Sequence, residues 1–124
     1  MPTRITLSVL IFSLTLAVGS MPGCGGKKQD ANSSPGRVVF ESQNCILCHG
    51  SDGTGKEGGP DLRAADRHFS KDQLITYLRD PEAYAKNDAR LSHDRFDYPM
   101  MMPSFDQLNR KQLSDLADYV LSLQ

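Results

Sequence analysis

"CILCHG", Cys45–Gly50, sets two thiols three positions apart with an imidazole directly behind the second. A redox thiol pair, a structural zinc site, a disulfide staple and covalent haem attachment all use such clusters. The redox reading requires the pair at a helix N-terminus after a strand, where the helix field lowers a thiol pKa. The preceding "PGRVVFESQNC" reads instead as a helix, placing the pair on its C-terminal side. Structural zinc takes four ligands, usually from two clusters. Cys45, Cys48 and His49 crowd three together, and a fourth would have to be His68 or His93, neither in a recognisable second half-site. A disulfide across so short a loop stabilises little and leaves His49 without a task. Covalent haem uses all three groups. Two thiols form thioethers with two vinyl groups, the next residue becomes the proximal iron ligand, and C-x-x-C-H is the signature of that attachment.

Working outward, residues 35–124 read as one all-α domain with three to four helices around the haem. In "PGRVVFESQNC", Gly36, Val39, Phe40 and Gln43 recur at helical spacing. The glycines of "SDGTGKEGGPDL" exclude a regular element. "SKDQLITYLRDP" is a second helix, with Ser70 as N-cap, Leu74, Ile75 and Leu78 as its apolar stripe and Pro81 as its stop. "PEAYA" adds at most a turn, and "KNDARLSHDRFDYPMMMPSF" reads as a long irregular loop, a length that wrapping a ligand would explain. "NRKQLSDLADYVLSLQ" closes the domain as a helix capped by Asn109, with Leu113, Leu116, Ala117, Val120 and Leu121 on one face. About ninety residues of short helix and loop make a thin core, and small domains of this kind need a staple or a bound group.

Residues 1–23 read as a secretory signal. The apolar run Ile5–Val18 is too short for a comfortable membrane span but suits a signal core. "GSMPGC" resembles a lipoprotein cleavage site with Cys24 as the acylated residue, although Met21 and Pro22 stand where Leu and Ala or Ser are usual. Ordinary secretion and an uncleaved anchor are the alternatives. All three place the domain outside the cytoplasm, on the periplasmic side of a bacterial membrane in the lipid-anchored reading. Residues 24–34 lie in a polar run without apolar period and read as a tether. Of three cysteines, acylation of Cys24 leaves only the CxxC pair. Net charge is −1, which gives no basic footprint for nucleic acid.

The far side of the iron needs a ligand or stays open. "YPMMMPSF" offers Met100, Met101 and Met102, and thioethers favour Fe(II) and raise the potential. The residues alone leave the choice among the three open, and methionine as core filler is the bland alternative. His68 and His93 read as exposed histidines, with a His93-ligated form as a minor alternative.

These segments resemble class I cytochromes c, small single-haem electron carriers, over about Gly36–Leu123. "GRVVFESQNCILCHGSDGTG" is similar to the family's first helix and haem site, "GGPDL" to its proline loop, "MPSFDQL" to its distal-ligand loop and "LSDLADYVLSL" to its closing helix. The resemblance implies thioethers at Cys45 and Cys48, proximal ligation by His49, and distal ligation by Met102, which directly precedes Pro103. It implies that the Pro60 carbonyl accepts a hydrogen bond from the proximal imidazole, and that Gly36 and Phe40 cross the last helix near Tyr119. The charge-rich segment between Leu78 and Met100 departs from the family pattern and is expected to border the haem edge or a partner surface.

The function this implies is single-electron transfer between redox proteins, such as a membrane oxidase or reductase, with no catalysis in this chain. A haem subunit of such a complex and a haem-based ligand sensor are the alternatives.

Overall fold

The computed structural model describes residues 34–124; the signal expectation and the tether up to residue 33, including Cys24, lie outside them, while Ser34, the last expected tether residue, caps α1. The described chain orders as α1 (Pro35–Ser42), α2 (Cys45–His49), α3 (Lys71–Arg79), α4 (Pro81–Ala85), α5 (Ala89–Asp97) and α6 (Arg110–Leu121). A 3-10 turn at Ala65–Arg67 precedes α3. No strand forms among the described residues, so the domain is all-α; an isolated Lys56–Gly59 bridge is its one extended pairing there. Among the same residues no helix is long and apolar enough to cross a membrane.

The core sits where α1 crosses α6, the most extensive pairing between elements. Gly36, Val39 and Phe40 form the inward face of α1, and Leu113, Leu116, Ala117, Tyr119 and Val120 that of α6. Phe40 meets Tyr119 edge to face, with centroids 5.3 Å apart and planes at 63°. The crossing is close because position 36 has no side chain: a Cβ there would lie 2.5 Å from Tyr119 Cβ. α3 lays Leu74 and Leu78 on the same core, and Lys71 pairs with Asp118 of α6 at 2.7 Å. The N-terminal ends of α3 and α6 are fixed by reciprocal capping boxes, Ser70 with Gln73 and Asn109 with Gln112.

Three expectations need correction. The first helix does end near the motif, at Ser42, but the cysteines do not trail from its end: Asn44 turns left-handed at φ 60°, and Cys45 opens its own helical turn. Asparagine tolerates that backbone better than most residues, so the chain re-aims just before the cysteines. Second, the expected long loop contains α5, started by Asp88, whose carboxylate accepts from the N–H groups of Arg90 and Leu91 at 3.0 and 3.2 Å. Third, these elements bring the helices among the described residues to six rather than three to four. Pro81 both stops α3 and occupies the first turn of α4, where its missing N–H is no loss.

Candidate functional site

α2 explains the spacing of the central motif. In one helical turn, positions three and four apart share a face, so Cys45, Cys48 and His49 converge, while Leu47, at the edge of the same cleft, stays 67% exposed. All three converging residues line a cleft of about 560 Å³, within the roughly 300–1,000 Å³ of cofactor sites. Phe40, Leu74, Leu78, Phe105, Leu116 and Val120 extend the core into its walls.

His49 is buried, and its Nδ1 lies 2.9 Å from the Pro60 carbonyl oxygen. A carbonyl only accepts, so Nδ1 carries the proton and Nε2 keeps its lone pair. No buried side-chain nitrogen or oxygen among the described residues lacks a partner, so Nε2, which makes no hydrogen bond, opens toward the cleft. Burial pushes the imidazole pKa below its ordinary value, and the Pro60 bond only partly opposes this. Near neutral pH the ring is therefore an uncharged donor atom held in one orientation. The glycine loop makes this possible. A Cβ on Gly59 would approach His49 Cε1 to 3.0 Å and Cys48 Cβ to 3.1 Å, so a side chain there would push the loop or the ring a few tenths of an ångström apart.

Cys45 and Cys48 are free thiols. Burial, assisted by the neighbouring Cys48, pushes the Cys45 pKa up to about 11 against the opposing backbone hydrogen bond. A thiol this reluctant to ionise is the reverse of an activated redox cysteine. This argues against an activated thiol, and although Cys45 opens a helical turn, no strand precedes it among the described residues as the redox reading requires. No group of three or more His, Cys, Asp or Glu side chains among the described residues is arranged to hold a metal ion.

Opposite lies the methionine segment. Met100 is 65% exposed and Met101 50%, whereas Met102 is half-buried and packed against the core. All three line the cleft. The chain just after Met102 is pinned to the end of α3: Phe105 N–H donates to Leu78 O at 2.9 Å, and the Ser104 hydroxyl donates to Arg79 O. His68 and His93 are both exposed. His68 borders the cleft, while His93 packs edge-on against Phe96, 6.1 Å between centroids, on the outer side of α5.

The structure adds cleft residues that the sequence did not mark. Arg90, Leu91 and Asp94 come from α5, and Phe69 and Tyr77 from the segment at α3. The Arg90 guanidinium lies 4.8 Å from the Phe69 ring centroid, between Asp88 at 3.4 Å and Asp94 at 3.9 Å. The available signal was the Asp88 cap ahead of α5.

The family model for cytochrome c matches residues 33–124. This chain belongs to the cytochrome c family. Among curated proteins it is similar to cytochrome c oxidase subunit 2 of Alkalihalophilus pseudofirmus, 25% identical over 100 residues that cover 74% of this chain and 26% of that protein. The chain thus matches about a quarter of that relative's length. No solved structure matches.

As a cytochrome c, the domain is a haem-based electron-transfer module, and the family implies haem c bound covalently. The residues fit that group: two thiols and an imidazole donor converge on one face of a turn, against an apolar cleft of suitable size.

Proposed function

We propose that this cytochrome c is a single-electron carrier whose iron is ligated by His49 and Met102. The carrying observation is the 2.9 Å bond from His49 Nδ1 to Pro60 O, which orients Nε2 as a ligand from the same turn that presents both thiols. Bound haem supplies an iron that exchanges one electron between Fe(III) and Fe(II).

The chain's own residues set the conditions. Cys45 and Cys48 hold the porphyrin in place. Pro60 fixes the imidazole tautomer and strengthens its donation. Phe40, Leu74, Leu78 and Leu116 keep water from the cleft interior, which favours the less charged reduced centre. Met102 supplies a soft sulfur that favours Fe(II), and its half-buried position against the core supports choosing it over the more exposed Met100 and Met101.

Substituting Met102→Ala tests the ligation. The expected protein keeps its haem, has a lowered potential, and binds carbon monoxide when reduced. An unchanged potential and no carbon monoxide response would place the sixth ligand elsewhere.

We further propose that the carrier is lipid-anchored through Cys24 on the periplasmic side of a bacterial membrane and exchanges electrons with a membrane oxidase or reductase. Tethering raises its effective concentration at such partners. The similarity to an oxidase subunit favours a second reading, a haem subunit within such a complex. Fractionation separates the two. A carrier leaves the membrane on Cys24→Ala substitution, whereas a subunit stays and co-purifies stoichiometrically with its complex.

A further inference from the structure

We propose that Met100 and Met101 form an oxidation site that intercepts peroxide-class oxidants at the cleft mouth, ahead of Met102. The inference rests on reading Met102 as the iron ligand only for what is protected; the order of oxidation stands on exposure alone.

Three consecutive thioethers line one cleft, but the chain treats them unequally. Met100 and Met101 are 65% and 50% exposed, while Met102 packs against the core cluster. Large apolar side chains at such exposure contribute little burial, so core filling does not explain the first two. Their accessible chemistry is that of sulfur. The thioether lone pair attacks one peroxide oxygen, the O–O bond breaks, an S–O bond forms, and the second oxygen leaves as water. Sulfur loses two electrons and the peroxide is reduced. The product is a polar sulfoxide that reductases return to thioether. At positions 100 and 101 that polar group meets solvent. At position 102 it would stand among Met102's apolar neighbours and remove a soft iron ligand.

The test uses the haem-loaded protein, about one equivalent of hydrogen peroxide per chain, and peptide mass mapping. Gain of one oxygen is expected at Met100 and Met101 several-fold ahead of Met102. In the double variant Met100→Leu/Met101→Leu, which removes both competing sulfurs at similar volume, Met102 sulfoxide should rise several-fold under the same limiting peroxide. Equal oxidation of all three in the natural protein, or unchanged Met102 sulfoxide in the double variant, overturns the proposal. The two readings fail separately. An unaltered potential in Met102→Ala removes the ligand assignment and leaves the oxidation order, while an equal oxidation order removes the shield and leaves the ligand.

Discussion

A Cβ built on Gly36 would lie 1.9 Å from the Asp115 carbonyl oxygen and 2.5 Å from Tyr119 Cβ. The first obstacle is backbone, which cannot rotate aside, so α1 and α6 must separate to admit a methyl group. Gly36→Ala is expected to destabilise by about 1–3 kcal/mol, the usual range for overpacking, although it improves helix propensity; a denaturant midpoint shifted downward at constant slope checks it. Acid sensitivity has an identifiable contributor in Asp61. Hydrogen bonds from the Arg63 side chain and backbone N–H hold its carboxyl down to about 2, against an ordinary 3.8. A depressed folded pKa means that the ionised form stabilises the fold above about pH 3.8, and that this contribution is lost as pH falls through about 2. Asp61→Asn should therefore show a shallower stability loss across that window, read by unfolding at a series of pH values. Both groups are exposed, so the effect is small.

The helices differ in how much of them the sequence disclosed. α3 and α6 were legible because each has a capping box ahead of an apolar stripe; Leu74, Leu78, Leu113, Leu116, Ala117 and Val120 bury where periodicity placed them, while Ile75 and Leu121 are half-buried against the core. α5 was illegible for the opposite reason. "ARLSHDRFD" buries Leu91 but leaves Phe96 84% exposed, so no stripe exists to read. Its position comes from tertiary contacts: Leu91 on the cleft, Arg90 on Phe69, and the Ser92 hydroxyl donating to Ala85 O at 2.7 Å. The break at Asn44 was hidden because Gln43 and Asn44 carry no strong helix-breaking signal. The capping residues should separate local from global stability. Asn109→Ala, which uncaps a core helix, is expected to lower global stability by about 1 kcal/mol. Asp88→Ala should instead fray α5, raising amide exchange across Ala89–Asp97 several-fold with little change in the global midpoint. Hydrogen exchange by mass spectrometry reads both.

At the scale of the whole domain, the central site was more legible than the walls around it. C-x-x-C-H fixes chemistry through spacing, so the motif and its histidine could be read directly, while the Pro60 contact could be anticipated only through the resemblance to class I cytochromes c; Arg90 and Asp94 reach the cleft through α5 and could not. The cleft is walled mostly by apolar side chains and opens to solvent, so without haem those walls meet water. A haem-free chain, obtained as Cys45→Ala/Cys48→Ala, is expected to loosen around it. It is expected to retain far-UV helix signal, lose near-UV dichroism and bind an apolar dye, all measurable on the purified variant. The Gly36 crossing has a further consequence for biosynthesis. The surface that receives α1 belongs to α6, which is translated well after CILCH, so a nascent chain carries the motif before the clamp between α1 and α6 can shut. In the proposed haem-bound form, enzymes that install the tetrapyrrole would meet an open substrate first, and the arrival of α6 would seal their product.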